Sequence, residues 1–159
     1  MAYTDIISLA QARTYLRIDD TQNESDNEII QMIGTALRFM EDHTNHIVDP
    51  RDIVYFLRKQ CVRVYDFPIN SIILPNPPDP IDQNDYELYS LFTTSDTLIE
   101  TITLNVGYGD PTNIPPGIID AALYIIKLLY YETESEKTLV DMLPMHIKLI
   151  INKNRRFII

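Results

Sequence analysis

The sequence predicts a single α+β domain that is mainly α. We expect a four-helix bundle of two N-terminal and two C-terminal helices, with a β-hairpin, further strands and a proline-rich loop inserted between helices two and three. Apolar residues recur at helical spacing near both ends, β-type runs fill the middle, and prolines interrupt that middle region. The 159 residues then divide into a helical pair (1–48), a β-rich insertion (49–110), a second helical pair (111–154) and a C-terminal tail (155–159).

Two capping boxes mark the N-terminal helices. Ser8 and Gln11 fit one such box before a short helix, and Ser25 and Glu28 fit another before a longer helix that ends near His43. A polar loop separates the two patterns. Short helices joined by such a loop are typical of an antiparallel pair.

The middle of the chain changes to β-type patterns. Residues 53–57 and 62–67 are β-branched and aromatic runs joined by four residues, which predicts a hairpin. Further strands are expected at 86–92 and 98–106. Proline density predicts an irregular, exposed loop over residues 74–85, because proline cannot donate to a sheet ladder. The prolines that mark this irregular segment begin with Pro68, before the loop, and continue within it as Pro75, Pro77, Pro78 and Pro80.

A nearly uncharged helix follows the last predicted strand. From about Gly117 to Glu132, only Asp120 and Lys127 carry charge before the last turn. A helix with so little polar surface must be surrounded by protein, so we expect it at the centre of the bundle. The residues expected to face its core are Ile118, Ile119, Ala122, Leu123, Ile126 and Leu129. A final helix begins near Thr138 or Pro144 and runs to about Asn154.

Composition limits the function classes. The chain has 23 acidic against 13 basic residues and a formal charge of −10, which argues against affinity for nucleic acid phosphates. Its one cysteine, Cys61, excludes an internal disulfide within this chain and suits a reducing compartment. The N-terminus lacks a signal-peptide pattern, and helix 118–131 is too short and too charged to span a bilayer. We expect a soluble protein that is intracellular when made, with no membrane partner.

The charge is unevenly distributed along the sequence. After Asp141 there is no acidic residue, while basic residues accumulate before the apolar end Phe157–Ile159. Exposed apolar residues at a terminus favour docking on a partner. The residues expected to dock are Lys148, Lys153, Arg155, Arg156, Phe157, Ile158 and Ile159.

Metal binding has weak support. His43 and His46 stand three apart near a helix end, where the helix dipole and the last carbonyls account for them without a metal. Asp19, Thr21 and Asn23 begin like an EF-hand loop, but the turn glycine and the bidentate acid are missing. We therefore expect no metal.

Catalytic chemistry has no stronger candidate. Gly107–Gly109 lacks the lysine and hydroxyl of a phosphate-binding loop and is better explained as a tight strand exit. Cys61 has no evident histidine partner. No nucleophile, base and orienting group can be assembled, so we expect neither an enzyme nor a cofactor. Tyrosines near predicted loops and helix edges favour association or simply line the core and its rim; they are Tyr86, Tyr89, Tyr108, Tyr124, Tyr130 and Tyr131.

Several segments together are similar to one family. Residues 7–19, ISLAQARTYLRID, have a helix with a "leucine, arginine, hydrophobe, aspartate" exit, and 67–72, FPINSI, have a "proline, hydrophobe, x, serine, hydrophobe" pattern. VGYGD at 106–110, then Ile114-Pro115 and the apolar helix ending in YYE, form the most recognisable block. This order resembles the head–tail connector (adaptor) proteins of tailed bacteriophages. The proline-rich residues 74–85 and the residues after Arg156 depart from that pattern.

The resemblance implies a structural virion protein at the capsid–tail junction, assembled in the host cytoplasm. Such proteins form a ring, commonly of twelve subunits, that docks on the portal, extends the DNA channel and receives a downstream neck or tail protein. The C-terminal segment would reach the portal. Double-stranded DNA would pass without sequence-specific binding, and the acidic loops would face the channel or its mouths. Those acids are Asp19, Asp20, Glu24, Asp26, Asp79, Asp82 and Asp85.

Two alternatives remain open. Another neck component, such as a head-completion, stopper or tail-terminator protein, fits the same setting, although the last two tend to be β-barrels. A small DNA-binding regulator could use the first helical pair as a helix-turn-helix, but the acids at 19–26 disfavour entry into a DNA groove.

Overall fold

A computed structural model describes residues 3–19, 25–74, 81–85, 90–94, 100–131 and 138–155. Within these residues the chain divides into two units. The helical unit comprises Met1–Thr44 and Asp110–Arg155, and the β unit is represented by Asn45–Gly109. The residues before, between and after the described ranges include the predicted docking residues Arg156, Phe157, Ile158 and Ile159 and the predicted channel residues Asp20, Glu24 and Asp79.

The helical unit contains six α-helices and one 3₁₀ helix among the described residues. The helices are α1 (Tyr3–Ile6), α2 (Leu9–Leu16), α3 (Asp26–Thr44), α4 (Pro116–Tyr131), α5 (Leu139–Met142) and α6 (Met145–Asn154), and the 3₁₀ helix is Pro111–Asn113. The Ser8 hydroxyl accepts a hydrogen bond from the Gln11 amide at 3.1 Å, so α2 begins as its capping pattern predicts. Arg17 caps the C-terminal end of α2. Its left-handed backbone conformation lets its amide donate hydrogen bonds to the carbonyls of Arg13 and Thr14.

Helix α4 forms the centre of the helical unit. It packs against α2, α3 and α6. Of the residues predicted to face the core, Ile118, Ala122, Leu123 and Ile126 are buried, while Ile119 and Leu129 are half-buried. Burial also extends to Ala121, Ile125 and Leu128, so the helix is enclosed on most of its circumference.

The β unit contains two three-stranded antiparallel sheets. One has the strand order β1–β6–β3 and the other β2–β5–β4. The strands are β1 (Arg51–Phe56), β2 (Cys61–Val64), β3 (Ile69–Leu74), β4 (Ile81–Asp85), β5 (Ser90–Thr94) and β6 (Thr101–Val106). Strand β6 is the central strand of the first sheet. Its Leu104 lies opposite Ile53 of β1 on one side and opposite Ile72 of β3 on the other.

An apolar cluster fills the β unit. Its buried members come from both sheets and from the segment before β1: Ile47, Val64, Phe92, Ile102, Leu104 and Val106. Strand β6 alternates in burial, with Ile102, Leu104 and Val106 buried. This is the period-2 pattern of a strand with one face in the core.

The predicted mainly-α four-helix bundle is wrong. The described residues form a β-rich α+β fold that contains two antiparallel three-stranded sheets and six α-helices. The predicted insertion is therefore a unit with its own apolar core. The pattern of each strand was visible in the sequence, but sheet formation depends on partners far apart along the chain.

The predicted pairing of residues 53–57 with 62–67 is also wrong. Strand β1 pairs with β6, and β2 pairs with β5. The isolated bridge between Arg58 and Cys61 lies within the connection between the two runs. Part of the predicted proline-rich loop is strand β4, whose residues Asp82–Asp85 are exposed along the edge of a sheet. A polar edge strand lacks the apolar alternation on which strand prediction depends.

Candidate interaction surfaces

The cations predicted to dock on a partner lie on α6 and just after it. Lys153 and Arg155 are exposed, and Lys148 is half-buried. Asn154 ends the helix, and the amide of Arg155 bonds the carbonyl of Asn152. Three of the seven predicted docking residues therefore lie on α6 or directly after it. The other four follow Arg155 and lie outside the described residues.

A groove lies beside these cations within the helical unit. Its cavity of about 230 Å³ is lined by Phe39, His43, Val140, Leu143, Lys148, Ile151, Asn152 and Arg155. The Phe39 and His43 rings stack with centroids 3.9 Å apart, and His43 Nδ1 hydrogen-bonds the Phe39 carbonyl at 2.8 Å. An apolar floor with cations at its rim can hold an apolar side chain that is followed or preceded by a carboxylate.

Helices α5 and α6 also expose large apolar side chains. Val140, Met145 and Leu149 have exposed fractions of 42%, 71% and 60%. Met145 and Leu149 stand one helical turn apart, on the side of α6 away from the buried Ile147 and Ile151. We call Val140, Met145, Lys148, Leu149, Lys153 and Arg155 the basic–apolar surface. Apolar residues on both sides of a surface helix indicate a partner contact.

The predicted channel acids in the described residues differ in solvent exposure and in their side-chain contacts. Asp19, Asp82 and Asp85 are exposed, and Asp85 accepts hydrogen bonds from Ser90 Oγ at 2.7 Å and Gln83 Nε2 at 2.8 Å. Asp26 instead forms an ion pair with the buried Arg13. Asp26 is therefore a structural residue of the helical unit, although its sequence context suggested only a charged loop.

A second groove, which the sequence did not reveal, lies between the C-terminal ends of α2 and α4. Its cavity of about 680 Å³ is lined by Thr14, Tyr15, Leu16, Arg17, Lys127 and Tyr131, and we call these residues the tyrosine groove. The Tyr131 hydroxyl donates a hydrogen bond to the Leu16 carbonyl at 2.9 Å. Because α2 and α4 are distant in sequence, no local pattern could have indicated their contact.

The tyrosine groove adjoins the solvent-exposed face of α4, because Lys127 and Tyr131 belong to both. Asp120, Tyr124, Lys127 and Tyr131 follow one another at helical spacing and are the exposed or half-exposed face of this otherwise buried helix. Burial, and then the neighbouring Tyr124 and Asp120, raise the pKa of the Tyr15 phenol above its ordinary value. Tyr15 is therefore a neutral hydrogen-bonding group at neutral pH.

His46, which the sequence analysis considered as a metal ligand, packs with Tyr108 inside the β unit. In the β unit, His46 Nδ1 and the Tyr108 hydroxyl share a hydrogen bond of 2.7 Å, and both side chains are buried. The Phe67 ring meets both of their rings edge-on. Tyr108 thus belongs to the interior of its unit. Among the described residues, no group of three His, Cys, Asp or Glu side chains is placed to hold a metal ion.

Membrane crossing can be assessed for the helices in the described ranges. Each of these helices falls short of the length and apolarity that a bilayer span requires.

Comparison with known proteins gives a likeness in fold. No protein-family model and no curated protein matches the sequence. A chain from the neck of an empty gene transfer agent particle, computed with C6 symmetry, superposes with a TM-score of 0.75 at 11% identity, over 100% of this chain and 94% of that one. A chain from the virion of a native gene transfer agent particle gives a TM-score of 0.73 at 12% identity, over 97% and 91%. At this identity the likeness establishes a shared fold.

Proposed function

We propose that this protein is a structural component of the neck of a phage-like particle. The observation that carries the proposal is the fold likeness to a neck chain, which extends over the whole of this chain and nearly the whole of the other. A match of that extent includes both the helical unit and the β unit. It agrees with the resemblance of residues 106–132 and their flanking segments to head–tail connectors.

Within the neck, the role proposed is that of a connector subunit. It forms a ring, commonly of twelve subunits, that docks on the portal and extends the DNA channel toward the tail. The neck that contains the chain of similar fold was computed with sixfold symmetry, with which a twelve-membered ring is compatible. The protein would act by assembly, with no catalytic step.

The basic–apolar surface is the element proposed to meet the portal. It combines exposed Met145 and Leu149 with the cations Lys148 and Arg155 on a chain of net charge −10. Apolar side chains contribute burial, and cations select a partner with carboxylates. The residues after Arg155 would extend this contact, as the sequence predicts.

The acids proposed to line the channel would keep the genome from adhering. Of these, Asp19, Asp82 and Asp85 are exposed. Carboxylates repel DNA phosphates, so DNA would slide past the ring without being bound. Asp26 is withdrawn from this role because Arg13 neutralises it.

The test is assembly with the portal protein of the same particle. The two purified proteins are mixed, separated by gradient sedimentation and imaged by negative-stain electron microscopy, with native mass spectrometry of the isolated chain as a control. A ring seated on the portal supports the connector role. A strict monomer that does not sediment with the portal would overturn it.

A different neck component is the second candidate, and one observation favours it. The six strands in two sheets make this fold richer in β structure than the connector reading of the sequence predicted. In this role the protein would contact the connector ring and not the portal itself. Sedimentation with a preformed portal–connector complex, but not with the portal alone, would favour this candidate.

A further inference from the structure

We propose that the tyrosine groove is the place where one copy of this chain receives an acidic surface of a neighbouring copy. The inference rests on the proposed function in that it expects copies to lie side by side in a ring. It adds to that function a named contact, formed by Tyr15, Arg17, Lys127 and Tyr131.

The composition of the groove is that of a binding hot spot. Tyr15 and Tyr131 have exposed fractions of 41% and 58%, and both line the same groove. Tyrosine and arginine dominate binding energy at interfaces, because they bury a large flat surface and still offer hydrogen bonds. The edge-to-face contact of Tyr130 with Tyr131, at 5.0 Å between centroids, restrains the ring before any partner arrives.

The groove is also held in shape by the fold. The Tyr131 hydroxyl is bonded to the carbonyl of Leu16, a residue that is itself buried. This bond joins the end of α4 to the end of α2, so the two walls of the groove are fixed to each other. A groove fixed in this way loses little conformational entropy when a partner enters it.

Charge identifies the occupant. Among the described residues, neither the Arg17 guanidinium nor the Lys127 ammonium forms an ion pair. Both cations lie on a chain with 23 acidic and 13 basic residues, so a second copy brings an excess of carboxylates to the groove. Joining a groove on one copy to a different surface on the next is a heterologous contact, and such contacts form a ring when the rotation between successive copies closes.

Site-specific photo-cross-linking tests the inference. Tyr131 is replaced by p-benzoylphenylalanine, and a second protein carries the same photoreactive residue at Lys59, an exposed turn residue of the β unit. Both are irradiated alone at high concentration and again with the portal. We expect the Tyr131 probe to yield a covalent dimer of this chain whose cross-linked peptide carries carboxylates, and the Lys59 probe to yield none.

The outcomes are separable from those of the proposed function. A dimer through the Tyr131 probe in either sample supports the inference, even if the portal is never bound and the connector role fails. A cross-link to the portal alone, or no cross-link between copies in both samples, overturns it, even if rings form on the portal.

Charge reversal gives an independent measure. Arg17→Glu with Lys127→Glu is expected to weaken self-association by at least about tenfold. Arg58→Glu with Lys59→Glu, which reverses two exposed cations outside the groove, is the matched control and should change self-association by less than about threefold. Circular dichroism checks that each variant is folded. Equal self-association of the Arg17/Lys127 variant and the control would overturn the proposal.

Discussion

The guanidinium of Arg13 forms an ion pair with the carboxylate of Asp26, which joins helix α2 to the first turn of α3. The Arg13 side chain is 9% exposed and that of Asp26 is 28% exposed. Asp26 also lies at a helix N-terminus, where the dipole favours a negative charge. One carboxylate therefore stabilises both the helix end and a buried cation.

Asp26→Asn should destabilise the protein by about 2 kcal/mol, because it removes the charge of a carboxylate that pairs with a buried guanidinium. Asp42→Asn is the matched control, since Asp42 is exposed on the same helix, and it should change the free energy of unfolding by less than about 0.5 kcal/mol. Urea denaturation measures both. Equal effects of the two substitutions would show that the ion pair contributes nothing specific.

The role of channel charge should accordingly be tested without Asp26. Asp19→Asn combined with Asp82→Asn removes two exposed carboxylates, and the unfolding midpoint of the variant is measured beside it to separate any effect on folding. If these acids face the channel, particles carrying this variant should eject their DNA more slowly or incompletely, because the lining repels phosphates less. Ejection kinetics that match the wild type would remove the functional case for this charge.

Gly107 has a backbone conformation that other residues rarely adopt. Its φ is +119°, and a Cβ at this position would lie 2.7 Å from Pro50 Cα and 2.9 Å from Pro50 N. Gly107→Ala should therefore cost at least about 2 kcal/mol of stability. Gly109→Ala, two residues on, would place its Cβ in open space and should change stability by less than about 0.5 kcal/mol. Thermal or urea unfolding of the pair distinguishes this clash from a general intolerance of the turn.

The Tyr55 hydroxyl donates a hydrogen bond to Asp66, and burial followed by this bond raises the pKa of Tyr55 far above its ordinary value of 10.0. Because the pKa of Tyr55 is raised in the folded state, the stability that the protonated phenol contributes is complete below pH 10 and is lost as pH rises further. Tyr55→Phe should cost about 1.5 kcal/mol near neutral pH, since the Asp66 carboxylate loses its donor.

The pH profile separates this bond from simple packing. Between about pH 7 and 9 the stability difference between wild type and Tyr55→Phe should be constant, because the phenol does not titrate there. Above about pH 10 the wild type should lose stability faster than the variant, so the two curves converge. A difference that stays constant to the highest accessible pH would refute the role of the bond.

Local sequence signals predicted where α2, α3 and α4 lie, missed α1 and failed on the pairing of the strands. The Ser8 cap, the start of α3 directly after Ser25 and the burial of α4 all depend on residues within a few turns of one another. The pairing of β1 with β6 joins Ile53 to Leu104, about fifty residues apart. Nothing in either strand's own pattern specifies that partner, so adjacent runs were paired instead.

The candidate surfaces divide in the same way. The basic–apolar surface was partly predictable, because Lys148, Lys153 and Arg155 are close in sequence. The tyrosine groove was not, because it forms only when the end of α4 meets the end of α2. Asp26 was misinterpreted for a related reason: its partner Arg13 belongs to a different helix.

The proposed docking on the portal, through the basic–apolar surface and the residues that follow it, can be tested in two separate parts. Deleting residues 155–159 should weaken binding to the portal while the subunit stays folded, since the last core residue of α6 before the deletion is Ile151. Replacing Phe157, Ile158 and Ile159 together by serine keeps the length and the cations, and it isolates the apolar contribution. Circular dichroism and a sedimentation assay with the portal measure folding and binding in the same samples.

The cations should act differently from the apolar residues. Lys148→Glu with Arg155→Glu is expected to weaken portal binding about tenfold or more at low salt and progressively less as salt is raised, because screening removes the electrostatic part. The serine variant should instead weaken binding to the same extent at every salt concentration. Arg58→Glu with Lys59→Glu reverses two exposed cations elsewhere, so it controls for the change in net charge and should bind as the wild type does. If both variants sediment with the portal as fully as this control, the basic–apolar surface faces something other than the portal.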